Sequence, residues 1–553
     1  MKSISRVQQT TLEPISKIAE KIGLDDDDIE LYGKYKAKIS LDVLNKRADK
    51  EDGKVILVTS INPTPFGEGK TTTAIGLSMA INRLGFKSIV TLREPSLGPF
   101  LGLKGGATGG GACEILPSID INLHFTGDIH AVTSANNLLC AAIDNHIYHG
   151  NSLGINPKSI TIKRAIDMND RSLRHIIVGL SNDQKGAIRE DGFVISVASE
   201  VMAILCLSMN YEELKEKLGN ILVGFTYDKK PVYAKDLNVQ GSMALLLKDA
   251  LKPNLVQTSE NTAAIVHGGP FANIAHGTNS IVATRIAQKL SDYVVVEAGF
   301  GSDLGAEKFI NIVARKSGIY PQAAVLVVTV KALKHHAKIE ENNNLQSCAS
   351  FIQKGLENLE KHIENLKIMG LETVVTLNKF PDDTEEEIEA IKSFCEQKGV
   401  EFSVSTAYAD GSEGVLDLAE KVIEVSNKRK KVNFVYQDSD SIEEKIKKVA
   451  TIIYGAKDVQ FSKVALSKLE LIKNLKIEHF PICMSKTQYS LSDDPKALGR
   501  PKDFVLNVTD IEIKNGAGFI VVMCGDIIAM PGLGKDFAAL HLDIDSSGNP
   551  IFK

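Results

Sequence analysis

Residues 54–84 read KVILVTSINPTPFGEGKTTTAIGLSMAINRL, and this stretch decides the fold. Val55 to Thr59 is an apolar, β-branched run of strand length. A loop rich in Pro and Gly follows. It closes on Gly67-Glu68-Gly69-Lys70-Thr71-Thr72, and a helical pattern begins at once. Strand, glycine loop and helix in that order make a phosphate-binding loop. Glycines let backbone N–H groups approach an anion, and the helix N-terminus adds positive potential. On this reading Thr64, Pro65, Phe66, Gly67, Glu68, Gly69, Lys70, Thr71 and Thr72 cradle a nucleotide. Lys70 reaches the β- and γ-phosphates, and the Thr71 hydroxyl holds Mg2+ through the nucleotide. The G-x-x-x-x-G-K-[ST] spacing is met except at its first glycine, where Thr64 stands. The alternative is a chance Gly-Lys-Thr turn, which the strand before and the helix after speak against.

Working outward, strand candidates recur at 88–92, 119–123, 293–298, 323–330 and 372–377, and 401–405 is strand-like. Helical patterns cover 129–148, 198–208, 241–251, 277–290, 344–366 and 384–398. This alternation implies an α/β fold: a P-loop NTPase-like, mainly parallel sheet with helices on both faces, plus smaller α/β domains. Residues 1–50 read as a polar, helical lead-in. Soft breaks divide the chain into 1–365, the nucleotide domain, 366–435, an α/β domain, and 436–553, a C-terminal α/β domain.

Composition excludes several classes. Of 553 residues, 43% are apolar and 24% charged, the balance of a soluble globular protein. The net charge of −5 and unclustered Lys and Arg give no footprint for nucleic acid. The basic run Lys428–Lys431 reads as a solvated helix end. Seven cysteines stand singly, without metal spacing, which suits a reducing cytoplasm. The opening MKSISRVQQTTLEP lacks the apolar core of a secretion signal, and no run approaches a membrane span.

Several loops after strand ends carry chemistry-bearing residues. Arg93-Glu94 follows strand 88–92, where open α/β sheets bind ligands, so Arg93 is placed to bind a carboxylate or acyl phosphate. A structural arginine in a turn weighs equally on this ground alone. Lys104–Gly111 is dense in glycine, either an anion nest, a mobile flap or a linker. His124 and Asp128 are expected to end strand 119–123 and open a helix. His124 is a candidate proton-transfer group or a satisfied core histidine. The loops 266–278 and 297–305 point towards the same sheet edge. Asn378-Lys379 and Ser405-Thr406-Ala407 stand in the order of the guanine-reading elements of P-loop GTPases. However, Pro381 occupies the position of the base-binding Asp. An ATPase or GTPase switch acting on a protein partner, and a scaffold without activity, remain as alternatives.

The strings LYGKYKAKI, TPFGEGKTT, PSLGP, KGGATGGG, INLHFTGDIHA, VHGGPFANIAHG, EAGFGSDLGAEKF, NKFPDDT and ICMSKTQYSLSDDP run in order over nearly the whole chain. On them the chain resembles the formate–tetrahydrofolate ligases. The resemblance implies a reaction of formate, MgATP and tetrahydrofolate giving 10-formyltetrahydrofolate, ADP and phosphate through formyl phosphate. It implies that 1–365 also holds formyl phosphate and that 366–435 contributes the folate site. Lys70, Arg93, Asp128 and His124 are then the catalytic candidates. Arg93, Glu94, Phe300, Phe380, Pro381 and Tyr408 bind substrates, the pterin lying between Phe380 and Tyr408. A monovalent cation (K+ or NH4+) as activator and a homotetramer are implied too. Two departures stand out. Tyr408 replaces the family's usual tryptophan, and V-R-A-L-K-M-H-G-G becomes Val330-Lys331-Ala332-Leu333-Lys334-His335-His336-Ala337-Lys338.

Overall fold

The computed structural model describes residues 11–102, 107–180, 186–337, 348–428, 431–525 and 527–552. One large sheet organises the chain. Its main path runs through β1 (Ile29–Leu31), β2 (Ala37–Ile39), β3 (Lys54–Ser60), β4 (Ser88–Leu92), β5 (Asn254–Thr258), β6 (Ala263–Val266), β7 (Tyr293–Gly301), β8 (Pro321–Val328), β9 (Glu372–Asn378) and β10 (Glu401–Ser405), with the short strands Gly109–Gly110 and Cys113–Leu116 branching from β5. They lie in the order β1-β2-β5-β6-β4-β7-β3-β8-β9-β10. From β6 to β10 every pairing is parallel. β1, β2 and β5 add an antiparallel edge.

The parallel strands are buried on both faces, which is why they read as unbroken apolar runs. Val55 and Leu57 of β3 enter one core, Ile56 and Val58 the other. β8 alternates likewise, with Ala324, Leu326 and Val328 against Ala323, Val325 and Val327. Helix α1 (Lys70–Arg83) fills the second core with Leu418 and Val422 of the helix Leu416–Ser426. Helices Ile281–Leu290 and Cys348–Ile368 cover the opposite face.

The mainly parallel α/β reading holds, with three corrections. Residues 118–122 form a short helix, Ser118–Asn122, rather than a strand. An Ile-Asp-Ile alternation suits a strand and a single helical turn equally. The turn wins because the N–H groups of Ile121, Leu123 and Phe125 close back on Pro117, Ile119 and Asp120. Residues 1–50 are not purely helical, since they supply β1 and β2. Residues 254–266, unread from sequence, supply the hairpin β5–β6. The helix expected over 344–366 is seen from Cys348; 344–347 lie outside the described residues.

β9 and β10 extend the same sheet as β3. Residues 436–524 carry their own core and a small sheet of β11 (Ile482–Ser485), β12 (Asp510–Lys514) and β13 (Phe519–Met523), ordered β11-β13-β12. Among the described residues no helix is long and apolar enough to cross a membrane.

Candidate active site

β3 delivers the chain into loop 61–69, and α1 leaves it. Gly67 and Gly69 take φ of 78° and 77°, left-handed values that glycine adopts without strain. A Cβ on Gly69 would sit 2.3 Å from Asn378 Nδ2. That amide donates to the Glu68 carbonyl at 3.1 Å, tying the loop to the end of β9. Thr64 earns its place where the strict pattern has glycine. Its N–H and hydroxyl both donate to Glu68 Oε1, at 2.6 and 3.1 Å, closing a clasp across the loop. Burial raises the Glu68 pKa. Lys70 Nζ lies back on Ser60 Oγ at 3.3 Å.

Thr71 and Thr72 face different spaces. The Thr71 hydroxyl lies 3.1 and 3.0 Å from the two carboxylate oxygens of Glu297. Glu297 stands on β7, beside β3, level with Val58. Both residues line a cavity of about 160 Å³ with Arg93, Glu94, Ala272 and Phe300. Arg93 is half-buried. Its Nη1 donates to the Pro270 carbonyl at 3.4 Å, and among the described residues it forms no ion pair. Burial lowers its pKa. Glu94 is buried, its Oε2 has no hydrogen-bond partner, and desolvation pushes its pKa well up. The chamber is small, holds a guanidinium with one hydrogen bond to a backbone carbonyl and adjoins a hydroxyl–carboxylate pair. Such a chamber suits a small carboxylate or acyl phosphate.

Thr72 faces a wider cleft of about 630 Å³, lined also by Phe66, Gly67, Gly69, Phe380, Pro381 and Tyr408. Phe380 and Tyr408, between which the pterin is expected, thus share with Pro381 one cleft that opens on loop 61–69. Gly111 explains part of the glycine density before it. Its φ is +65°, and a Cβ there would lie 2.8 Å from the Tyr408 ring and 2.1 Å from its carbonyl. The neighbouring Ala112 N–H donates to that carbonyl at 2.8 Å. The back of the glycine loop is therefore a seat for Tyr408. Its front, 103–106, lies outside the described residues. The departures at 331–335 touch the same cleft. Lys331 Nζ stands 4.7 Å from the Phe380 ring centre, and His335 meets Phe66 edge to face at 6.4 Å.

His124 and Asp128 are not among the residues lining either space. His124 lies on an exposed turn. Asp128 opens the helix Asp128–Tyr148, buried against Lys38 Nζ at 2.8 Å and Asn254 Nδ2 at 2.8 Å. His267 and His276 of loop 266–278 are fully buried, and desolvation lowers their pKa to about 4 and about 3. Glu297 and Asn378 were missed as site residues. Asn378 ends β9, and Glu297 stands where the regular pairing of β7 with β3 stops; that position was their available signal.

Known proteins resemble the chain over its whole length. A sequence model described as "Formate–tetrahydrofolate ligase" matches residues 1–551. A protein of that name from Caldicellulosiruptor bescii is 90% identical over 553 residues, covering 100% of both chains. Another from Caldicellulosiruptor saccharolyticus is 74% identical over the same full length. The chain belongs to the formate–tetrahydrofolate ligase family.

Proposed function

We infer that the chain joins formate to tetrahydrofolate with ATP, giving 10-formyltetrahydrofolate, ADP and phosphate through formyl phosphate. The ligase activity, in one-carbon metabolism, follows from family membership and full-length identity. The course of the reaction is our reading of the site. The observation that carries it is the Thr71 hydroxyl, 3.0 Å from a Glu297 oxygen at the mouth of a small chamber holding Arg93.

Formate is a poor electrophile because its oxygen leaves badly as oxide. Phosphorylation turns that oxygen into a phosphate leaving group. ATP lies with its phosphates along the amides of 64–72, as in P-loop NTPases. Lys70 leaves Ser60 to reach the transferring phosphoryl group. Thr71 and Glu297 offer hard oxygen donors, which fit Mg2+ held by few protein ligands and by the phosphates. Held by these residues, Mg2+ would supply charge neutralisation for the phosphates. Arg93 orients formate by paired hydrogen bonds, so one formate oxygen attacks the γ-phosphorus and the bond to ADP breaks. Phe380, Pro381 and Tyr408 then hold the pterin. N10 attacks the formyl carbon, the carbon–oxygen bond to phosphate breaks, and N10 loses its proton.

Glu94 fits the monovalent cation. A buried, unpartnered carboxylate oxygen beside the chamber is stabilised by a positive charge. Asp128 acts from behind, fixing the Lys38 ammonium. His124 remains a candidate proton carrier, tested by kcat in His124→Gln. We propose a homotetramer. Ile177, Leu180 and Ile188, exposed in or near the hairpin Ile176–Val178/Arg189–Asp191, suit burial against another copy, and light scattering gives the mass. The free thiols of Cys113, Cys140, Cys206, Cys395, Cys483 and Cys524 suit a cytoplasmic enzyme.

Product formation with formate, MgATP and tetrahydrofolate, each omitted in turn, tests the whole. Product that requires all three is expected. ATP hydrolysis indifferent to formate and folate would instead favour a partner-directed ATPase.

A further inference from the structure

Asn62 stands two residues past β3, at the entry to the phosphate loop, and is fully buried. Every polar group it owns is engaged. Its N–H donates to His362 Nε2 at 3.0 Å, and its carbonyl accepts from His336 Nε2 at 2.9 Å. Its side-chain oxygen accepts from Asn358 Nδ2 at 2.9 Å. Its side-chain nitrogen donates to Asp303 Oδ2 and to the Gln488 carbonyl, both at 3.3 Å.

These partners assign His336 a neutral tautomer. His362 Nε2 lies 3.0 Å from both the backbone nitrogen and Oδ1 of Asn62, and its Nδ1 lies 2.7 Å from Ser302 Oγ. His336 donates at Nε2 and accepts at Nδ1 from the Gly499 N–H at 3.3 Å. Asp303 passes the connection on. Its Oδ2 lies 2.8 Å from Lys486 Nζ, and neither side chain reaches solvent. Lys486 directly follows β11 of the C-terminal unit and also donates to the carbonyls of Thr487 and Ser490. Burying an ion pair gains little net stability, since desolvating both charges offsets their attraction. Stability alone therefore does not account for a lysine threaded from one unit to the loop of another. Asn62, Asp303 and Lys486 line neither cavity beside the loop, so they touch no substrate held there.

Ile61 still bonds to the sheet, its N–H donating to the Val327 carbonyl of β8 at 3.3 Å; beyond it, one backbone turn from the Gly67 N–H to the Thr64 carbonyl and several side-chain ties set the shape of the loop over residues 62–69. The Thr64–Glu68 clasp holds its middle, Asn378 holds its far end, and Asn62 holds its entry. Amides that cradle phosphates must keep their directions closely. We propose that Asn62 is a positioning residue for the nucleotide, fixing the entry of the phosphate loop, and that the Lys486–Asp303 pair carries this constraint from the C-terminal unit. The proposal rests on the reading of 61–72 as the nucleotide cradle.

The test uses the full chain with Asn62→Ser, Lys486→Met and both together. It measures KM for MgATP, formate and tetrahydrofolate, MgADP affinity by calorimetric titration, and Tm. Each single variant is expected to raise KM for MgATP about tenfold and leave KM for tetrahydrofolate unchanged. The double variant should shift it no further than the larger single, because both act through one chain of contacts. Lower Tm with an unchanged KM for MgATP would overturn the proposal. If Lys486→Met does not fold, Asn358→Ala removes one tie to Asn62 and must give the same selective shift, and its failure to do so overturns the proposal equally. Lys70→Ala separates the two readings. Full MgADP affinity in Lys70→Ala defeats the nucleotide cradle itself. Lost affinity there, with full affinity in Asn62→Ser, defeats only the positioning role.

Discussion

Tyr408→Ala removes one wall of the cleft expected to hold the pterin. Tyr408 is 51% exposed, so little core packing is lost. Its backbone is placed by the Ala112 N–H and the close approach of Gly111, which alanine keeps. The substitution therefore deletes a stacking face and leaves the loop in position. Stacking a flat heterocycle on an aromatic side chain contributes about 1–3 kcal/mol. That corresponds to a roughly 5- to 160-fold rise in KM for tetrahydrofolate. Tyr408→Phe retains the face and should stay within about twofold, while Tyr408→Trp enlarges it and should lower KM. Initial rates are measured against tetrahydrofolate at saturating formate and MgATP, with product read as the methenyl derivative after acidification. KM reports affinity only when chemistry is slow, so a calorimetric folate titration accompanies the rates. An unchanged KM and Kd in Tyr408→Ala would refute the stacking role.

Thr71→Val keeps shape and removes the hydroxyl facing Glu297. kcat/KM for MgATP should fall by roughly two orders of magnitude with Tm nearly constant, while Thr71→Ser stays active; a fully active valine variant would remove Thr71 from the metal site. Gly69→Ala forces a side chain into φ of 77° and towards Asn378, 2.3 Å from the new Cβ. The left-handed strain alone is about 1–2 kcal/mol. Chemical denaturation should show at least that loss, together with weaker MgATP binding; wild-type stability would mean that the loop is not held in this shape. Burial lowers the His362 pKa from 6.5 to about 3, so the folded chain leaves this group neutral where the unfolded chain protonates it. Its stability contribution is present above pH 6.5 and is lost as pH falls towards 3. His362→Gln should therefore differ from wild type by an amount that changes about 1.4 kcal/mol per pH unit between pH 6 and 4. A pH-independent difference would show that His362 is not neutral in the fold.

The strand–loop–helix at 54–84 was legible because β3 is buried on both faces and its glycines mark the turn into α1. The antiparallel edge was not. β2 carries Lys38 at its centre, and a buried lysine breaks the apolar run that marks a strand. It lies inside because Asp128 and Asn254 meet its ammonium, partners 90 and 216 residues away. Arg93, Phe300, Phe380 and Tyr408 were named from strand ends and motif strings, and the fold places them on the two spaces beside loop 61–69. Glu297 needed sheet order as well. It faces Thr71 only because β7 inserts between β4 and β3, a neighbour relation that local pattern does not carry. Asn62 had no signal at all, since its five partners come from residues 303, 336, 358, 362 and 488.

The most direct test of formyl transfer through an acyl phosphate follows the oxygen atoms. With formate labelled by 18O in both positions, phosphate released during 10-formyltetrahydrofolate synthesis is analysed by mass spectrometry. One 18O per phosphate is expected, because a formate oxygen attacks phosphorus and stays there when N10 displaces it. Phosphate free of label, at full product yield, would contradict the account.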